Sequence, residues 1–165
     1  MNELLIEVDL RQQQLYLWER QADGDILVRQ YPVSCAANGA GSENGSYCTP
    51  LGRHRIAEKI GAGMPLCSAF KAREWTGEVW TPELSDENPG RDWILSRILW
   101  LEGLEPGKNQ GGTVDTHDRF IYIHGTHEEH KIGTPASHGC IRMKNDDVAE
   151  LFDLVKVGTE VHISG

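Results

Sequence analysis

The segment Ser137-His138-Gly139-Cys140-Ile141-Arg142 gathers a thiol, an imidazole, a guanidinium and a glycine into six consecutive positions. A thiol attacks carbonyls as its thiolate, and an ordinary cysteine with a pKa near 8.5 is mostly protonated at neutral pH. It therefore needs a base and a favourable electrostatic setting. Cys140 is expected in a loop between the Thr134-Pro135 turn and a helix starting near Asn145, where unpaired amides and the helix dipole favour negative charge. Arg142 adds a cation. Two histidines can take the proton: His138 in the same loop, and His124, sixteen residues before Cys140. A hairpin-like excursion of that length can return the His124 ring over the thiol. The Gly125 carbonyl can then orient the imidazole as the third member of a triad. Gly139 lets the backbone approach a substrate, so the amides of Gly139 and Cys140 can form an oxyanion hole. This constellation reads as cysteine-nucleophile acyl transfer at a peptide carbonyl. A cysteine or a histidine alone is more often packing or surface; the combination points to chemistry.

Other groupings carry less. His124, His127 and His130 with Glu128 and Glu129 suggest a metal site, but His127-Glu128-Glu129-His130 is one residue short of His-Glu-x-x-His and lacks its i, i+4 geometry. Cysteines 35, 48, 67 and 140 contain no CxxC pair and no zinc spacing, so free thiols are expected. A redox role for Cys140 would require a resolving cysteine, and none is close in sequence. The tryptophans at 75, 80 and 93 read as packing. His54, His117 and His162 have no chemical company.

The elements that must position Cys140 and His124 are mainly strands. Leu4 to Leu10 and Gln14 to Trp18 alternate apolar and polar residues around a turn, as a β-hairpin does, and Ile26 to Ser34 supplies a third strand. After a glycine-rich loop and the Thr49-Pro50-Leu51-Gly52 turn, Arg53 to Ile60 alternates again. Gly61 to Gly112, rich in Gly, Pro and Trp, reads as an insertion that caps one face and contains one or two strands. Arg119 to His124 is a buried strand of β-branched and aromatic residues. Asn145 is expected to cap a helix whose apolar face is Val148, Leu151, Phe152 and Val155, with Asp146 and Asp147 at its positive end and Gly158 after it. Thr159 to Ile163 forms a last strand.

The chain has 165 residues, 39% of them hydrophobic, enough for one domain spanning 1–165 with its own core. The 18 glycines exceed the usual share of about 7% and favour turns and strands. A net charge of −9 without a basic stripe argues against nucleic acid. No stretch reaches the roughly 18 apolar residues of a membrane helix. The first ten residues alternate apolar and acidic side chains, unlike a secretory signal, so a chain read from Met1 is expected in the cytoplasm, or in the periplasm if an export signal preceded it.

At these residues the sequence resembles the L,D-transpeptidase catalytic domain (YkuD) family. The family's hallmark is a histidine, a gap, then Ser/Thr-His-Gly-Cys, a hydrophobic residue and Arg or Asn; here His124-Gly125-Thr126 and Ser137 to Arg142 match it. Thr49 to Gly52 followed by Ile56 is similar to the family's strand turn ahead of the site. The resemblance implies a β-sandwich with a short helix next to the catalytic loop, and chemistry on peptidoglycan stem peptides or soluble muropeptides. It implies Cys140 as nucleophile, His124 as proton donor and acceptor, Gly125 as the orienting carbonyl, and His138 with Gly139 lining the oxyanion pocket. Arg142, with Ser137 and Thr126, would bind substrate; no metal or cofactor is required. If the chain read from Met1 carries no leader or wall-binding module, the resemblance implies a role similar to that of signal-less L,D-carboxypeptidases, which release terminal D-alanine from tetrapeptides in murein recycling. Cross-linking or D-amino-acid exchange by a transpeptidase is the alternative, and a non-catalytic muropeptide-binding module is a further one.

Overall fold

The computed structural model describes residues 3–165, and its strands form one mixed sheet. Strands β1 (Leu4–Asp9), β2 (Gln14–Glu19) and β3 (Ile26–Pro32) form the meander expected from their alternation. Strand β10 (Glu160–Ser164) pairs in parallel with β1 and antiparallel with β4 (Gly52–Ile60). The sheet continues through β7 (Ile94–Gly103) to β8 (Tyr122–Gly125), and β8 pairs in parallel with the short β9 (Ile141–Met143). Just past β3, Ser34 exchanges backbone hydrogen bonds with Arg142 at 2.8 and 2.9 Å, which ties the β3 side of the sheet to β9. The sheet thus curls around one apolar interior, as a sandwich does.

Helix α2 (Asn145–Leu154) fills the open side of that interior. Val148, Leu151, Phe152 and Val155 form its buried face, as their spacing predicts, against Ile123, Ile141 and Met143. The capping expectation needs correction. The N-cap residue is Lys144, whose side chain makes no capping bond; Asn145 already lies inside the helix. The carboxylate of Glu129 does the capping, accepting the Asn145 amide at 2.7 Å and placing negative charge at the positive end of the dipole.

The reading of residues 61–112 as a covering insertion is corrected in part. The first portion holds β5 (Ser68–Lys71), β6 (Glu74–Val79) and α1 (Pro82–Glu87), the helix capped by the Thr81 hydroxyl. Its last portion, however, is β7, which lies inside the sheet between β4 and β8. The apolar run that forms it is buried on both faces and shows no alternation, so its sequence does not announce a central strand. The segment therefore holds three strands, not one or two. Strands β5 and β6 meet through a two-residue turn at Ala72 and Arg73, both with positive φ. That geometry is usual for hairpins, but it is built here without the Asn-Gly pair that would advertise it. The strand read from Arg119 begins only at Tyr122, because Phe120 takes a left-handed φ of 57° and is half exposed.

Leu151 is fully buried where α2 meets the sheet. Leu151→Ala should destabilise the fold by about 2–5 kcal/mol, read as a lower urea midpoint with an unchanged slope.

Candidate active site

Parallel pairing of β8 with β9 sets Ile123 beside Ile141 and His124 beside Arg142. Side chains alternate across a strand, so Ile123, Ile141 and Met143 enter the core while Tyr122, His124, Cys140 and Arg142 share the opposite face. Two segments far apart in sequence thereby deliver the histidine and the cysteine to one surface.

His124 is buried, and its Nδ1 lies 2.6 Å from the Gly125 carbonyl oxygen. A carbonyl can only accept, so Nδ1 carries the proton and Nε2 holds the lone pair, the tautomer a general base needs. Burial pushes the His124 pKa below its ordinary value; the Gly125 carbonyl and Asp92 oppose that, and Arg142 reinforces it. Gly125 is required here. A Cβ at this position would lie 2.3 Å from Asn145 Oδ1 and 2.7 Å from the Leu95 carbonyl. Asn145 locks the turn by donating to the Thr126 carbonyl at 2.9 Å and accepting from Ser96 Oγ at 2.6 Å. Ser96 sits at a register shift in β7 with a φ of 71°, a strained conformation for a non-glycine residue that these bonds hold in place.

Cys140 packs against Phe70, Ile98, Trp100 and Tyr122. Its sulfur accepts from the Tyr122 amide at 3.4 Å and can donate to the Phe120 carbonyl at 3.4 Å. Desolvation pushes the thiol pKa up to about 11; the Tyr122 amide, Arg142 and Arg119 pull it down, and Asp92 raises it further. This reverses the expectation of a thiolate stabilised by a helix end. Strand β9 separates Cys140 from α2, whose end is already occupied by Glu129. Both shifts favour the neutral forms of thiol and imidazole, and the amide aimed at the sulfur is that of Tyr122.

Several expected roles are reassigned by the geometry. Arg142 is buried, and its guanidinium is held by Asp92 at 3.0 Å and Glu128 at 3.1 Å, so it organises the site from within instead of presenting a free fork to a substrate carboxylate. Ser137 is buried and ties the catalytic loop together, donating to the Cys140 carbonyl at 2.6 Å and accepting from the Gly139 amide at 3.2 Å. That bond occupies the Gly139 amide, which therefore is not free for an oxyanion. Thr126, also buried, accepts from the Glu128 amide at 3.0 Å. His138 points outward between two buried neighbours and meets the exposed Tyr47 ring edge-on at 5.8 Å. Gly139, with a φ of 133°, passes so close to Cys48 that an added Cβ would lie 3.1 Å from its carbonyl. Among the described residues no three His, Cys, Asp or Glu side chains converge on a metal-sized site; Glu128 and Glu129 serve Arg142 and α2.

Residues that the sequence did not single out complete the surface. Arg73, at the tip of the β5–β6 hairpin, donates to the Tyr122 hydroxyl at 3.2 Å and lies over the Trp100 and Phe120 rings at 4.8 and 5.0 Å. Arg119 donates to the Cys48 carbonyl at 2.8 Å. Asp92 is drawn in by Arg142. No spacing rule exposes these residues, since each arrives from a separate loop.

A curled β-sheet that presents a cysteine and an oriented histidine on one face is what the comparisons with known proteins can place. The family model of the L,D-transpeptidase catalytic domain (YkuD) matches residues 3–163, and the chain belongs to that family. It is 53% identical over 112 residues to the probable L,D-transpeptidase ErfK/SrfK of Salmonella typhimurium, covering 61% of this chain and 36% of the relative. With the probable L,D-transpeptidase YbiS of Escherichia coli K12 it shares 49% over 94 residues, 50% of this chain and 31% of that one. The chain thus spans only about a third of the length of these relatives. Among solved structures, Bd1075 of Bdellovibrio bacteriovorus superposes with a TM-score of 0.61 at 17% identity, over 99% of this chain and 48% of that one. L,D-transpeptidase 3 of Mycobacterium tuberculosis superposes with a TM-score of 0.58 at 16% identity, over 99% and 62%. Both share the fold.

Two outcomes follow from this geometry. Alkylation of Cys140 by iodoacetamide, followed on its own peptide by mass spectrometry, should keep rising with pH towards the thiol pKa of about 11; rapid alkylation already below pH 7 would mean a resting thiolate. Gly125→Ala should displace the carbonyl that orients His124 and slow acylation of Cys140 by roughly 10²-fold, the usual cost of a misplaced catalytic group, with circular dichroism unchanged.

Proposed function

We propose that this protein is a cysteine acyltransferase of peptidoglycan stem peptides, acting as an L,D-carboxypeptidase that releases terminal D-alanine from tetrapeptides. The observation that carries the reading is the pairing of β8 with β9, which presents Cys140 on the same face as a His124 whose Nδ1 is fixed by the Gly125 carbonyl. As Sγ attacks the carbonyl that precedes the terminal D-alanine, Nε2 of His124 takes the thiol proton. Collapse of the tetrahedral adduct breaks the amide bond, and the same proton goes to the departing D-alanine nitrogen. The remaining thioester is attacked by water, which gives its proton to Nε2 and leaves a tripeptide and a free thiol. The amide of Tyr122, 3.4 Å from the sulfur, supports the negative charge that forms when the proton leaves.

Hydrolysis is favoured by the hairpin tip. Arg73 reaches Tyr122 and covers Trp100 and Phe120, which narrows the approach to the thiol and suits one small soluble muropeptide with water as acceptor. The relatives are named L,D-transpeptidases, and that supports a second reading in which an amine replaces water at the same thioester.

Incubation with a disaccharide tetrapeptide, with and without excess D-methionine, separates the two by mass spectrometry. The expected product is the tripeptide, unchanged by the amine; predominant exchange product or dimer would make the protein a transpeptidase. Cys140→Ala should abolish both, and His124→Ala should slow turnover by about 10² to 10⁴, the contribution of a general base. Residual turnover in Cys140→Ala above background would remove the nucleophile assignment.

A further inference from the structure

The arginines of this acidic chain differ in their partners. Arg20, Arg29, Arg53, Arg55, Arg91 and Arg142 each pair with a carboxylate. Arg73, Arg97 and Arg119 are given neutral partners, Arg97 the carbonyls of Met64 and Ser96, and of these three Arg119 is the one whose charge acts on Cys140. Arg119 donates to the carbonyls of Gly41 at 3.3 Å and Cys48 at 2.8 Å and to the Ser46 hydroxyl at 3.3 Å. Glu43, the acidic residue of the same loop, accepts instead from Thr113 Oγ1 at 3.2 Å. In a chain with 25 acidic side chains against 16 basic ones, a half-buried guanidinium kept from carboxylates forgoes its strongest partner. Burial consequently lowers its pKa, a direction that a bound carboxylate would oppose.

Its place relative to the thiol gives that lack of a carboxylate partner a use. Nη2 of Arg119 lies 3.9 Å from the point where a Cβ on Gly139 would stand, and the carbonyl of the next residue, Phe120, is 3.4 Å from the Cys140 sulfur. A peptide cut at its last bond carries its free carboxylate one residue beyond the scissile carbonyl, a separation on the order of 3–4 Å. Arg73 is less suited, since its guanidinium lies over the Trp100 and Phe120 rings, whereas Arg119 meets only neutral oxygen acceptors, which a carboxylate outcompetes. Arg142, the expected carboxylate binder, is filled by Asp92 and Glu128.

We infer that Arg119 is the specificity-determining residue for acyl donors that carry a free carboxylate immediately beyond the scissile amide, an inference that rests on the acyl-transfer reading above. It makes the site select the last peptide bond of a chain and reject a donor whose terminal carboxylate is amidated or extended.

A test independent of the natural substrate uses the thiol itself. Iodoacetate and iodoacetamide alkylate the same thiolate, so the ratio of their rates at Cys140 cancels changes in thiol ionisation and reports on carboxylate recognition. In the full chain, Arg119→Gln should lower the iodoacetate-to-iodoacetamide ratio roughly tenfold, as loss of a charge-assisted hydrogen bond does, and Arg119→Lys should restore most of it. In the wild-type protein, N-acetyl-D-alanine should protect Cys140 from alkylation and its carboxamide should not, a readout that stands even if the glutamine variant misfolds. A ratio unmoved by Arg119→Gln, or equal protection by acid and amide, would overturn the assignment. With tetrapeptide donors, the free acid should be preferred over the terminal amide through KM, and the preference should vanish in Arg119→Gln. If wild-type protein processes both equally, Arg119 is not the selector. If it processes neither, the stem-peptide reading fails while the alkylation ratio still decides the carboxylate subsite.

Discussion

The hydrogen bond from His124 Nδ1 to the carbonyl of its own successor, 2.6 Å long, is the constraint around which the site is organised. It fixes the ring, selects the tautomer and leaves one nitrogen basic. A backbone carbonyl can do this only if its peptide is held, and the structure invests several elements in holding it. Asn145 packs so closely on Gly125 that no side chain fits there, and it binds Thr126 and Ser96 at the same time. Asn145 is in turn fixed by Glu129 and by the start of α2, which is anchored through its apolar face in the core. The strained backbone at Ser96 is a local cost that this network offsets. The fold thus reaches the imidazole through its second neighbours, and the core packing of one short helix bears on the orientation of a catalytic ring.

The charges around this pair are arranged so that they largely compensate one another. Arg142 is buried on the same face, and an unpaired cation there would be costly, so Asp92 and Glu128 close on it from two loops. Their combined field leaves burial as the dominant influence on both reacting groups, with the thiol pushed up to about 11 and the imidazole held below its ordinary value.

Much of this was legible in the residues. Alternation located β1 to β4 and β10, the i, i+3, i+4 spacing of Val148, Leu151, Phe152 and Val155 located α2, and the pairing of His124-Gly125 with Ser137 to Arg142 pointed to two segments that the sheet brings onto one face. What was not legible depends on contacts between distant segments. Strand β7 is buried on both faces and carries no period, so it was read as part of a cover. The hairpin at Ala72-Arg73 lacks the usual turn residues. Arg142 looks like a substrate-binding cation until Asp92 and Glu128 are seen on it, and Arg119 looks unremarkable until its neutral partners and its nearness to Gly139 are known. Sequence spacing reports local geometry and face; it does not report which of several arginines finds a carboxylate.

The central claim is that a neutral His124, with its proton on Nδ1, faces a neutral Cys140. It is tested most directly by ¹⁵N NMR of the histidine-labelled protein, with His124 assigned by its loss in His124→Ala. At pH 7 the account predicts a protonated Nδ1 and an Nε2 shift typical of an unprotonated ring nitrogen, both persisting below the ordinary histidine pKa. An imidazolium at pH 7 that becomes neutral on alkylation of Cys140 would reveal a thiolate–imidazolium pair and contradict it.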